Sequence, residues 1–156
     1  LNISHYSCPV CGASDRDRLY SLYFKTYCPL ENTERFRILD IAPTKPLQNF
    51  IKSTYPAIGY RSADFLMENV DDKVDLRNMD IYGDNSFDFI ICSHVLEHID
   101  DDKRAISELY RVLKQGCKSI IMVPIILSLT QDYENPEITD PGERWKHFGQ
   151  NDHVRV

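Results

Sequence analysis

The sequence predicts an α/β fold, a doubly wound and mostly parallel sheet with flanking helices. Short apolar runs that read as buried strands, Phe36–Ile41, Ile58–Ala63, Phe87–Cys92 and Lys118–Val123, recur along the chain. Stretches of helical periodicity separate them, and proline or glycine marks several of the junctions. Strands that alternate with helices imply right-handed crossovers and hence parallel pairing.

Taken in order, the opening dozen residues are polar and hold Cys8-Pro-Val-Cys11-Gly12. Ser14 is placed to cap a helix running to about Tyr27, with Leu19, Leu22, Tyr23 and Tyr27 near helical spacing. A polar link, 29–35, leads into the first strand. Thr44 before Lys45-Pro46 has the form of an N-cap and first turn, where the missing proline N–H is tolerated. That helix is expected to reach about Thr54, burying Leu47, Phe50 and Ile51, and Tyr55-Pro56 ends it. The second strand closes at Asp64. Residues 65–86 are irregular, with a short strand expected near Val74–Leu76. After Phe87–Cys92, Asp100–Asp102 start a helix whose Ile106, Leu109, Tyr110 and Leu113 share a face and which Gly116 closes. Pro124 stops the last strand. Residues 130–156 are polar, rich in charge, proline and histidine, and suit an ordered functional loop.

At 156 residues and 42% hydrophobic, the chain can bury one core. The expected division is a knuckle and helix at 1–28 and a main domain at 29–156, with 130–156 as a lid on the substrate side. A net charge of -6 argues against a general nucleic-acid or membrane-surface binder, leaving room for a local basic patch. The longest apolar run, Ile120 to Leu129, is broken by Pro124 and too short to span a bilayer. The opening "LNISHYSCPVCG" has neither the basic start nor the apolar core of a signal peptide. Five cysteines, an odd number with one close pair, fit a reducing compartment, so the cytoplasm is expected.

In such a sheet, ligands bind beyond the carboxyl ends of the strands, near the switch in strand order. That rule selects 41–46, Asp64, 75–76, 92–94 and 124 onward. Asp64 follows Asp40 by 24 residues, near the spacing of an acid that accepts two ribose hydroxyls. The competing reading is a solvated acid at a strand end. The first turn, Ala42-Pro43-Thr44-Lys45-Pro46, contains no glycine.

Residues 37–124 resemble the class I S-adenosylmethionine-dependent methyltransferases, especially the broad type 11 family. The strongest match is "DNSFDFIICSHVLEHIDDDKRAISELYRVLKQGCKSIIMVP", residues 84–124, which is similar to that family's fourth strand, its following helix with an "RVLKxGG" ending, and its fifth strand. Cys117 stands where the pattern has its second glycine. The resemblance implies a Rossmann-like fold and S-adenosylmethionine as cofactor. It implies that Asp40 and the following turn, Ala42 and Thr44 included, face the methionine part, with Thr44, free helix N–H groups and Lys45 open to its carboxylate. It places Asp64 on the ribose, Asp75 and Leu76 on the adenine, and Ser93 and His94 along the wall near the sulfonium. Glu97 and His98 read as structural. The resembled fold adds two further strands, so truncation after the fifth strand is expected.

The flanks, "CPVCGASDRDRLYSLYF" and "ERWKHFGQNDHVRV", resemble a bacterial subgroup of methyltransferase-like proteins with a cysteine knuckle and an "FGQxDHVR" signature, some associated with surface-glycan gene clusters. A small-molecule or glycan-related acceptor follows from that resemblance. The CxxC supplies two of the four ligands of a structural zinc, His5 and Cys28 being the nearby candidates for the others. The alternative is an unmetallated turn. In the tail, His153 and His147 are candidate bases for a hydroxyl acceptor, with Asp132 and Glu134 as substitutes. The bland reading is a lid closed by ion pairs among Glu143, Arg144, Asp152 and Arg155. A catalytically inactive binding or scaffold protein of the same fold, with a zinc knuckle, is the alternative to the enzyme.

Overall fold

The computed structural model describes residues 6–27 and 33–156. Ser14 opens α1 (Asp15–Tyr27) through a reciprocal cap. The Asp17 N–H donates to Ser14 Oγ at 3.1 Å, and the Ser14 N–H and hydroxyl both donate to Asp17 Oδ2 at 2.8 Å. A cap of this kind is worth about 1 kcal/mol.

Five strands, β1 (Arg37–Ile41), β2 (Gly59–Asp64), β3 (Asp72–Lys73), β4 (Phe87–Ser93) and β5 (Leu113–Met122), form one sheet in the order β3-β2-β1-β4-β5. Every neighbouring pair is parallel, as the alternation of strands and helices requires. The helices are α2 (Lys45–Thr54), α3 (Asp102–Val112) and α4 (Pro141–Phe148), with a 3₁₀ turn at Leu96–His98.

Side chains alternate across the sheet with period two. Ile38, Phe89 and Ile91 face the layer made by α1 and α2, where Tyr20, Phe24, Leu47 and Ile51 cover them. Leu39, Ile41, Ile90 and Cys92 face the opposite layer, with Leu96, Ala105, Leu109 and Val112. Phe87 also packs in that second layer, at the point where the β4–β5 register is irregular. Met79 and Tyr82, from the irregular stretch before β4, complete that side.

Several boundaries and faces differ from expectation. On α1 the buried stripe is Asp17, Tyr20 and Phe24, while Leu19 and Leu22 are exposed. The helix is apolar on two sides, and the aromatic side wins because Phe24 packs edge-on against Phe36, Tyr55 and Phe89. On α3 the stripe is Ala105, Leu109 and Val112, leaving Ile106 and Tyr110 exposed. The helix ends at Val112 and β5 begins at once, so Gly116 does not close it. Gly116 takes φ 76° inside a bulge, since Phe87 pairs Leu113 and Phe89 already pairs Lys118. The third strand is Asp72–Lys73, and Val74 and Leu76 enter the core instead.

The segment after β5 folds back on itself and against the 3₁₀ turn that follows β4. Tyr133 and Val156 exchange backbone hydrogen bonds at 2.8 and 3.0 Å, and the Val154 N–H donates to the Glu97 carbonyl at 2.9 Å. Asp140 caps α4 through the Glu143 N–H at 3.0 Å, and Gly149 ends it at φ 81°. Among the described residues no helix is long and apolar enough to cross a membrane.

Candidate functional site

Strand order reverses between β1 and β4, and at that point both strands leave the sheet through a left-handed residue, Ala42 at φ 51° and His94 at φ 57°. Such backbone costs a non-glycine residue about 1 kcal/mol. Hydrogen bonds hold both turns: the Ala42 N–H donates to Ala63 O at 2.9 Å and the His94 N–H to Met122 O at 2.8 Å. Beyond them opens a cleft of about 690 Å³. Its walls include Ala42, Asp64 to Met67, Val74 to Arg77, His94 and His98, with Arg144, Asp152 and Val154 arriving from the last segment.

Ala42, Asp64, Asp75, Leu76 and His94 are therefore brought together in one place. Asp64 Oδ1 accepts the N–H groups of Leu66 and Met67, both at 2.6 Å, and so shapes the turn after β2. Asp75 is engaged by the Arg77 guanidinium, whose Nη2 lies 2.7 Å from Oδ2, and this holds its carboxyl below the usual range. Arg77 Nη1 also reaches Asp100 at 2.7 Å. Burial, with the Arg16 charge, lowers the His94 imidazole pKa, and Glu97 pulls the other way.

Asp40, Thr44 and Ser93 do not line this cleft. Thr44 sits at the N-cap of α2 but makes no side-chain cap, because its hydroxyl donates to Asp17 Oδ1 at 2.6 Å. The Ser93 hydroxyl lies 2.8 Å from the Tyr20 hydroxyl. Asp40 faces the α1–α2 layer, where Tyr60 OH donates to its Oδ2 at 2.6 Å. Burial pushes the Asp40 carboxyl up to about 7, against the pull of that hydrogen bond. Burial and the neighbouring Asp40 likewise raise the Tyr60 hydroxyl.

The three acid–base candidates stand apart from one another. His153 is only 3% exposed, and its Nδ1 lies 3.2 Å from the Phe148 carbonyl. A carbonyl can only accept, so Nδ1 carries the proton. His147 is exposed on α4, with Nδ1 3.2 Å from the Tyr133 hydroxyl and Nε2 3.9 Å from Glu143. Asp132 lines a second, apolar cleft of about 550 Å³ beside β5, together with Glu97 and Arg155. The four charged residues of the expected lid are not paired with one another. Glu143 meets Lys146, Asp152 meets His98, Arg155 meets Asp102 and Glu134, and Arg144 donates to the Ile138 carbonyl.

At the knuckle, Cys8 and Cys11 are free thiols on a turn closed by the Gly12 N–H to Cys8 O at 2.8 Å. Hydrogen bonds from the Cys11 and Val10 amides lower the Cys8 pKa. His5 and Cys28 lie outside the described residues, and among the described residues no third ligand joins the pair.

Two features escaped the reading of the sequence. Phe65 and Leu66 are large, exposed and apolar at the rim of the main cleft, and their only signal was an apolar triplet in a polar stretch. The second is the setting of Glu97, read from the sequence as structural: it is 2% exposed, and among the described residues neither carboxylate oxygen has a hydrogen-bond partner. Its ligand atoms and those of His98 and His153 lie within 4.8 Å of one another. Both histidines were visible in the sequence, but only the long-range bond from Val154 to Glu97 brings them together.

Residues 48–121 match the family model of a methyltransferase domain. A SAM-dependent methyltransferase from Archaeoglobus fulgidus is similar at 18% identity and a TM-score of 0.53, over 90% of this chain and 62% of its own. The YcgJ protein of Bacillus subtilis is similar at 21% identity and 0.53, over 88% and 62%. A Haemonchus contortus phosphoethanolamine N-methyltransferase 2, solved with phosphomonomethylethanolamine and S-adenosylhomocysteine, is similar at 18% and 0.57, over 87% and 33%. The chain thus has the Rossmann-like class I methyltransferase fold, and it spans 62% of the first two of these structures. No curated protein matches it.

Proposed function

We propose that the chain binds S-adenosylmethionine in the cleft beyond β1, β2 and β4 and directs its methyl group to a small-molecule acceptor. The flanking signatures favour a glycan-related one. The observation that carries this reading is the convergence of Ala42, Asp64, Asp75, Leu76 and His94 on one cleft at the switch in strand order. A volume of about 690 Å³ suits such a ligand, since small-molecule sites run to about 300–1,000 Å³.

Asp64 fits the ribose. Two amides occupy its Oδ1, and no described residue engages Oδ2, which is left to accept hydroxyls. Leu66 and Leu76 offer apolar walls to the adenine, while Asp75 takes the exocyclic amine in exchange for part of its contact with Arg77. The methionine part belongs beside Ala42, where the first-turn N–H groups of α2 and Lys45 would receive its carboxylate. Thr44 is committed to Asp17 and leaves that task to them. The cofactor supplies a methyl group activated on a sulfonium. The chain must hold it in line with the acceptor, whose approach Arg144 and Asp152 border.

Calorimetric titration of the whole chain with S-adenosylmethionine and S-adenosylhomocysteine tests this reading. Asp64→Asn keeps an acceptor for the two amides but loses the charge. A charge-assisted hydrogen bond is worth about 1.5–3 kcal/mol, so affinity should fall about 10- to 150-fold. No heat from folded protein would sink the enzyme reading and favour a scaffold of the same fold. The diversion of Asp40, Thr44 and Ser93 away from the cleft is the observation on that side.

A further inference from the structure

We propose that Glu97, His98 and His153 form a binding site for one divalent first-row transition-metal ion, set in the wall between the two clefts. The site lies where the 3₁₀ turn after β4 meets the final segment, and the Val154 N–H bond to Glu97 O fixes how the two run together. Glu97 faces the cleft beside β5, and His98 faces the main cleft.

The Glu97 carboxylate is out of place in a protein interior. Glu97 is 2% exposed, and among the described residues neither of its oxygens has a hydrogen-bond partner. His94 Nδ1 approaches Oε1 at 3.2 Å but without hydrogen-bond alignment. A buried carboxylate without hydrogen bonds is among the most costly groups a fold can carry, and a bound cation is a standard remedy.

The two histidines are prepared in a matching way. Metal-bound imidazoles present one nitrogen to the ion and give the other N–H to a carbonyl or carboxylate. His153 has Nδ1 on the Phe148 carbonyl at 3.2 Å, and His98 Nδ1 makes an ion-pair contact with Asp152 Oδ2 at 3.3 Å, a distance like that between His94 and Glu97. Both outer partners are acceptors, which leaves Nε2 of each ring as the atom to offer an ion. The rings meet edge to face, with centroids 4.8 Å apart.

Two imidazoles and one carboxylate are the donor set of zinc, iron and related divalent ions with positions left open. Bonds of about 2.0–2.1 Å would bring tetrahedral ligand atoms to about 3.4 Å apart. The three donors, all within 4.8 Å, need to close by little more than a side-chain rotation. Open positions on the ion would then be available to water or to an acceptor oxygen. That last clause rests on the methyl-transfer reading, whereas binding of the ion does not.

The same site accounts for much of the tail motif. Phe148 supplies a carbonyl and a buried ring, Gly149 turns the chain at φ 81°, Asp152 orients His98, and His153 is a ligand. Arg155 secures the segment through the Asp100 carbonyl at 2.8 Å and Asp102 at 2.9 Å.

The test is a Co²⁺ titration of the whole chain, followed by calorimetry and visible absorption, in a Cys8→Ser, Cys11→Ser background that removes the knuckle thiols. One equivalent should bind with nitrogen and oxygen ligation. Glu97→Gln and His98→Gln should each weaken binding by more than about 100-fold, and the positioning variant Asp152→Asn by about 10- to 100-fold. Circular dichroism confirms folding. Should Glu97→Gln fail to fold, His98→Gln, at a half-exposed position, carries the test. No stoichiometric binding, or binding unchanged in the folded ligand variants, overturns the site. A parallel S-adenosylhomocysteine titration separates the proposals, because loss of either binding event alone removes only the reading it belongs to.

Discussion

Asp40 carries a carboxyl on the apolar side of β1, and its replacement by asparagine gives a sharp test of the packing described above. Burial sets its pKa near 7 in the folded chain, against 3.8 for an ordinary aspartate. At 1.36 kcal/mol per pH unit, that difference corresponds to a proton linkage on the order of 4 kcal/mol. Between about pH 4 and 7 the unfolded chain has lost the proton that the folded chain retains. The folded state therefore binds more protons, and stability falls as pH rises through this window. Asp40→Asn removes the titration and keeps an acceptor for Tyr60. Urea unfolding, followed by circular dichroism from pH 4 to 8, should show the variant gaining on the parent. The gain should approach about 1.4 kcal/mol per pH unit and level off above pH 7. Against a typical total of about 5–15 kcal/mol, such a change is easily read. A difference between the two proteins that stays flat, or that shrinks as pH rises, would refute the reasoning and mean that Asp40 is ionised in the fold.

Other outcomes follow from single contacts. Arg111 binds Glu108, Asp84 and the carbonyls of Met79 and Tyr82, tying the irregular stretch before β4 to α3, and it holds the Glu108 carboxyl down at about 2. Arg111→Met leaves these acceptors unmatched and should cost about 2 kcal/mol in urea unfolding, discounted for partial exposure. Cys8, half-buried with a lowered pKa, should alkylate well before the buried Cys92, whose thiol burial pushes up to about 12; peptide mapping after brief iodoacetamide treatment reads the order. Gly149→Ala meets no atom within 4 Å, so only the φ of 81° opposes it, and the melting temperature should fall by the equivalent of about 1 kcal/mol.

Much of the sheet was legible because parallel strands buried on both faces leave continuous apolar runs, such as Phe87–Cys92. The helix faces were less legible. Leu19 and Leu22 match helical period as well as Tyr20 and Phe24 do, and only tertiary aromatic packing chooses between them. Ala42, Asp64, Asp75, Leu76 and His94, which the strand-end rule selects, all line the main cleft, because their place is set by local order along the chain. Thr44 and Ser93 obey the same rule in sequence, and the resemblance adds Asp40, yet partners from α1 and β2 claim all three side chains. Glu97 reads as the start of a helix until the final segment folds back over it. No local pattern encodes a contact across more than fifty residues.

The hydroxyl of Tyr20 and the carboxylate of Asp17 have a joint mechanical meaning. One α1 side chain is fastened to Ser93 at the end of β4, the other to Thr44 just after β1. These are the two strands whose parting opens the main cleft. The helix therefore acts as a crossbar between the jaws, setting their gap while donating no residue of its own to the main cleft. A change that loosens α1 should widen or narrow that gap and register in ligand affinity before the sheet beneath gives way.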